Sequence, residues 1–192
     1  MAQEEREAQV SAVMASGCLK ITERLGPWST VRMVTMQLML LWPTPPNDNR
    51  VWYASVDGYG SITNGVLNEV PGGANSPSNA SDVAIAPDGS YCLVAGLNGR
   101  VYRSIGGDFT NLEIISQGGG TNGNLPQSGI GRARVDIALT ANADGSHNAF
   151  AMYATSGGLF YGLYFSGGDG AGGTWEEAVS YTHLTLPTTT IV

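Results

Sequence analysis

The sequence predicts an all-β fold built from a repeated unit of four antiparallel strands, and three observations predict it. Glycine supplies 27 of 192 residues while charged side chains make up only 13%, a composition that suits short strands and tight turns better than solvated helices. The 42% hydrophobic content is enough to build a core at this length. The third observation is internal: one ordered series of landmarks occurs twice.

The first copy runs Asp82-Val83-Ala84-Ile85-Ala86, Asp88-Gly89-Ser90, Cys92-Leu93-Val94-Ala95 and Val101-Tyr102-Arg103-Ser104. The second runs Asp136-Ile137-Ala138-Leu139-Thr140, Asp144-Gly145-Ser146, Ala151-Met152-Tyr153-Ala154 and Leu163-Tyr164-Phe165-Ser166. Gly106-Gly107-Asp108 and Gly167-Gly168-Asp169 follow the two serines. A more diverged copy passes through the apolar run Val34–Trp42, the turn Pro46-Asn47-Asp48-Asn49, Val51-Trp52-Tyr53-Ala54 and Gly60-Ser61-Ile62-Thr63.

Each unit reads as an apolar first strand, a turn, a second strand ending in Ala and a third with aromatic or β-branched residues. The fourth strands are Val66–Val70, Leu112–Ile115 and Gly173–Ala178. The Asp-Gly and Asn-Asp pairs accept the positive φ angles that tight hairpins demand. Four strands in a repeat of roughly 40 to 50 residues is the signature of a propeller blade. The expected fold is a partial β-propeller of about three four-stranded antiparallel blades over 34–178, at about 34–70, 82–115 and 132–178.

Both ends stand outside this scheme. Residues 1–33 match no repeat. Ala2–Leu25 reads as a charged helix, and the segment is one where a frame error or false start is weighed. The acidic start Met1-Ala2-Gln3-Glu4-Glu5-Arg6-Glu7 lacks the basic-then-apolar order of an export signal. The run Val34–Trp42 is far shorter than the roughly 20 residues that span a bilayer and reads as a buried strand. At the other end, Val179-Ser180-Tyr181-Thr182-His183-Leu184-Thr185-Leu186-Pro187-Thr188 resembles a translated sequencing adapter. Residues 179–192 are therefore expected to be an artefactual tail that packs poorly, with the natural gene continuing past Ala178.

The segment Gly162–Trp175, with Ser166, Asp169, Gly172, Thr174 and Trp175, resembles the Asp-box, Ser-x-Asp-x-Gly-x-Thr-Trp, of bacterial neuraminidase-repeat and sortilin-like propellers. It carries extra glycines, and the copy at Ser104–Thr110, with Ser104 and Asp108, lacks the motif's usual spacing. Asn124–Arg132 resembles the link between blades in the same superfamily, which includes secreted surface proteins and endoglucanases that cut xyloglucan. The resemblance implies structural Asp-boxes, in which Asp closes a turn and Trp packs between strands. It also implies an extracellular or cell-surface setting, and it implies no reaction, because function resides in sites added to a fold.

The candidate chemistry is carboxylate chemistry. Asp82 and Asp136, equivalent by the landmark series, would stand on first strands near one end of a central channel. Two such groups can act as acid and base on a glycosidic bond; the alternative is that each accepts backbone N–H groups. Asp57, in Val56-Asp57-Gly58-Tyr59-Gly60, is either a third acid or a hairpin turn. Arg134 and Asp136 share one strand face opposite Val135, Ile137 and Leu139, so Arg134 is expected to pair with a nearby carboxylate. Arg100, Arg103, Arg132 and Arg134 reproduce no sialidase spacing, and His147 is expected to be solvated at a hairpin tip.

The net charge of −7 and pI of about 4.6 oppose a phosphate-binding surface, so nucleic acid is not an expected partner. Cys18 and Cys92 fit no redox or zinc spacing and read as free thiols. Asn142-Ala143-Asp144-Gly145-Ser146 lacks the oxygens of a calcium loop, and no metal or cofactor motif is present. The expected function is that of a binding or adhesion fragment recognising glycan or protein. A piece of a glycoside hydrolase and a purely structural set of blades that scaffolds a site in missing blades are the alternatives. An incomplete ring would leave faces open to aggregation or to pairing with another copy.

Overall fold

The computed structural model describes residues 9–15, 18–24, 33–36, 50–73, 75–116, 125–126 and 128–180, and among them it contains strands and turns but no helix. All the strand pairs are antiparallel.

The N-terminal segment departs from the expected helix. It forms β1 (Gln9–Ala15), β2 (Cys18–Arg24) and β3 (Met33–Met36), a sheet of its own. The helix-favouring residues Glu4–Glu7 lie before Gln9, whereas Val10, Val13, Ile21 and Thr22 are β-branched and stiff at χ1. The register sets Ala15 opposite Cys18, with Ser16-Gly17, a hairpin-loop composition, between them in sequence. The run Val34–Trp42 was expected to open the first repeat. Its beginning instead pairs with β2, and its remainder lies outside the described residues.

The remaining described strands fall into three antiparallel sheets of three or four strands. The first unit presents three strands, β4 (Arg50–Ser55), β5 (Gly58–Thr63) and β6 (Val66–Val70). Asn64 and Gly65, at φ 51° and 81°, form the β5–β6 turn, the two positive values that a two-residue hairpin with the twist of its strands requires. The second unit is β7 (Ala80–Ile85), β8 (Cys92–Gly96), β9 (Val101–Ile105) and β10 (Asp108–Ile114). The third is β11 (Ile130–Ala141), β12 (His147–Thr155), β13 (Phe160–Ser166) and β14 (Trp175–Ser180). Val179 and Ser180 continue the pairing of β14 with β13 past Ala178, and Tyr181 and Leu184, expected to pack poorly, lie outside the described residues.

Alternation along the strands gives every sheet two faces, and the buried residues show how the faces are used. Trp52, Ala54, Tyr59 and Val70 of the first sheet pack with Val83, Cys92, Val94, Tyr102, Phe109 and Leu112 of the second. The opposite face of the second sheet, through Leu93, Ala95 and Val101, packs with Val135, Ile137, Ala149, Ala151, Tyr153, Tyr164 and Trp175 of the third. Leu125, within the stretch resembling a link between blades, is buried in this same layer. The three sheets thus stack in chain order with the middle one covered on both faces. Apolar area removed from water on both faces, at about 25 cal/mol per Å², is what holds such a stack. Among the described side chains no apolar layer joins the first sheet to the third.

Candidate functional site

The sheets meet along a seam between β7 and β11, each the edge strand of its own sheet. An edge strand presents unpaired backbone groups that need partners when buried, and here side chains supply them. Ser81 Oγ donates to the Ala133 carbonyl at 2.8 Å, and Arg134 Nη1 donates to the Ser81 carbonyl at 2.6 Å. The Val135 N–H donates to Asp82 Oδ2 at 3.2 Å, while Asp82 Oδ1 accepts from the Val83 N–H at 3.0 Å.

Asp82 is buried, and both carboxylate oxygens therefore have a backbone donor. Burial raises its pKa above the ordinary carboxylate value. The Val135 N–H, the Arg134 guanidinium and the Val83 N–H pull it down, and Asp136 pushes it up again. Arg134 thus acts on a neighbouring carboxylate, but on Asp82 across the seam. Asp136 is exposed and accepts from the Ile137 N–H at 2.9 Å. Val135 and Ile137 are buried as alternation requires, whereas Leu139, in the stretch of β11 where the register shifts, is 62% exposed.

The strand registers correct the assumed equivalence of the two aspartates. Cys92 pairs with Ile85 and donates its N–H to Ser104 Oγ at 2.8 Å, while Ala149 pairs with Ile137 and with Ser166. With Ser104 set against Ser166, Ile85 corresponds to Ile137. Asp82 then corresponds to Arg134, and Asp136 to Ala84. Asp136 lies eight residues before Asp144, whereas Asp82 lies six before Asp88. The β11–β12 hairpin is longer, and a register shift between Ile137 and Ala141 accommodates the difference. The two carboxylates are neighbours through the contact of β7 with β11, not through repeat symmetry.

Asp57 belongs elsewhere. It is exposed in the β4–β5 hairpin, where its N–H donates to Ser55 Oγ at 3.2 Å and Gly58 takes φ 144°. Its charge acts on Tyr53, which burial first, then Glu69 and Asp57, push up to about 12.

The two Asp-box-like hairpins differ. In the third sheet, Asp169 takes φ 55°, and Asp169 Oδ1 accepts the His147 N–H at 2.6 Å while its own N–H donates to the His147 carbonyl at 3.2 Å. Ser166 Oγ and Thr174 Oγ1 are 2.5 Å apart, and buried Trp175 donates from Nε1 to the Gly170 carbonyl at 3.2 Å. Gly172 is exposed. In the second sheet, Asp108 Oδ1 accepts from Thr110 N and Oγ1 at 3.0 and 2.7 Å, within its own turn, while Ser104 is fully buried.

His147 is buried at the start of β12, with Nδ1 2.9 Å from the Ala138 carbonyl. The expected solvated hairpin tip is wrong because β11 and β12 run on past the point where the sister hairpin turns. Beside it, Arg103 donates from Nε to the Asp169 carbonyl at 2.9 Å and lies 4.8 Å over the Tyr91 ring. These residues and Ser81 were not singled out in the sequence as parts of an inter-sheet tie, since nothing in their spacing announces a partner in another sheet. Cys92 is a free, buried thiol that burial holds up at about 11. No group of three or more His, Cys, Asp or Glu among the described residues is arranged to hold a metal ion, and no described helix is long and apolar enough to cross a membrane.

Compared with models of known families the chain matches none. No curated protein matches it either.

Proposed function

We propose that the chain is a run of successive blades of an extracellular or cell-surface β-propeller that binds a glycan or a protein through its hairpin loops. One observation carries the preference for binding over hydrolysis: both oxygens of buried Asp82 accept backbone N–H groups, one from Val83 in its own strand and one from Val135 across the β7–β11 seam. A general acid or base must reach the substrate's proton within hydrogen-bond distance, and Asp82 is committed to the backbone of two sheets. Asp136 is exposed but bonded to its own strand, and Asp57 closes a hairpin. The chain's aromatic surface is spent mostly on the layers between sheets, so recognition falls to the loops.

The test is hydrolysis of sialosides and β-glucans by the purified chain, run beside titration with sialyllactose and xyloglucan oligosaccharides. Binding without turnover is the expected outcome. Turnover abolished by Asp82→Asn or Asp136→Asn would replace this reading with a glycoside hydrolase. Neither binding nor turnover would leave the blades as a scaffold for sites elsewhere.

A further inference from the structure

The second sheet buries both faces, but the third sheet buries one. Its other face carries Phe150 and Phe165, paired across β12 and β13 with ring centroids 5.6 Å apart, and the adjoining pair Met152 and Leu163, an apolar centre whose rows continue into Asp136 and Arg134 on β11 and Glu176 and Val179 on β14. Met152 is 46% exposed. In the register set by Ser104 and Ser166, these positions correspond to Leu93, Arg103, Ala95 and Val101 of the second sheet. Leu93, Ala95 and Val101 are fully buried because the third sheet covers them. The same positions that form an interface one repeat earlier therefore lie open here, and they carry larger apolar side chains.

The first sheet has the complementary vacancy. Its outward face carries Val51, Ile62 and Leu67, paired in one row across β4, β5 and β6. Val51 and Leu67 are 40% and 42% exposed. The corresponding backward faces of the second and third sheets are the ones that receive the preceding sheet. Both interfaces within the chain are built in this sense, forward face on backward face. Among the described side chains, no apolar layer covers the forward face of the third sheet or the backward face of the first.

We infer that the chain associates head to tail with a second copy of itself, the Phe150–Met152–Leu163–Phe165 face of one copy covering the Val51–Ile62–Leu67 face of the next. The occupant is identified by continuity: the face that fits is the kind of face already seated at the two interfaces within the chain. Such an interface is heterologous, so each copy uses two different surfaces and the assembly either closes into a ring or grows. Exposed contiguous apolar surface of this kind marks an interaction site.

Sedimentation of the full chain tests this. The wild type should associate with rising concentration, and Met152→Asp or Leu67→Asp should each weaken association at least tenfold. Both sites are exposed, so an unchanged circular dichroism spectrum should show that the fold survives. Met152→Gln provides a milder variant if the aspartate does not fold. An equimolar mixture of Met152→Asp and Leu67→Asp should form a one-to-one dimer and nothing larger, because each variant keeps the one intact face the other lacks. Association of Leu67→Asp at wild-type strength would overturn the head-to-tail arrangement. A wild type that stays monomeric up to its solubility limit would overturn self-association and leave the face to a further repeat of a longer chain.

Discussion

The hairpins that end the second and third sheets occupy the same place in the repeat and do different work. In one, Asp108 turns back on Thr110, two residues away, and remains exposed. In the other, Asp169 exchanges two bonds with the backbone of His147, while its carbonyl accepts from Arg103 of the preceding sheet. A carboxylate in a turn is therefore a local device or a long-range tie according to what the turn can reach. The extended β11–β12 hairpin brings His147 within reach of Asp169. The comparison teaches that residue type at a repeat position does not fix the role.

The largest expected effect falls on Trp175, the buried ring of the β13–β14 hairpin. Trp175→Ala should destabilise the fold by about 3–5 kcal/mol, the cost of emptying a buried aromatic site, read as a drop in the denaturant midpoint at unchanged slope. Asp169→Ala should cost about 1.5–3 kcal/mol, since it removes a charged acceptor from a part-buried N–H. Asp108→Ala should leave the midpoint unchanged within error, and an equal loss at the two aspartates would erase the distinction between the hairpins.

A subtler effect sharpens the contrast between Asp82, in the seam, and the turn aspartates. The Asp82 pKa is raised in the folded state, mainly by burial. The fold then binds a proton that the unfolded chain has released. Its stabilising contribution is full below the ordinary Asp value and is lost as pH rises through the raised one. Asp88, Asp108 and Asp144 are shifted down by bonds from Ser90, Thr110 and Ser146, and their contribution has the opposite slope. Subtracting the stability–pH profile of Asp82→Asn from that of the wild type should isolate a difference that declines with rising pH just above the ordinary Asp value. A flat difference would show that the seam carboxylate titrates as it does in the unfolded chain.

Much of the strand order was legible because alternation and turn chemistry are local. The Asp-Gly pairs mark hairpins through the φ angles they accept, and Val51–Ala54, Cys92–Ala95 and Val101–Ser104 lie within or along strands as read. The equivalence of Asp82 and Asp136 was not legible. A two-residue offset leaves every side chain on the same face, so only a one-residue slip would have disturbed the pattern. The N-terminal strands were hidden by Glu4–Glu7, whose helical preference dominated a window extending past them. The seam was hidden for another reason: Ser81, Asp82 and Arg134 bind backbone atoms across it, and a backbone partner can belong to almost any residue type.

That last property has a consequence for the history of such a chain. A joint in which side chains of one unit grip the main chain of the next places little demand on the neighbour's residues. A duplicated unit can drift in sequence and still be held, provided its strand keeps its path. Ser81, Asp82 and Arg134 make such a joint, and the units on its two sides differ in hairpin length and in landmark residues while it holds.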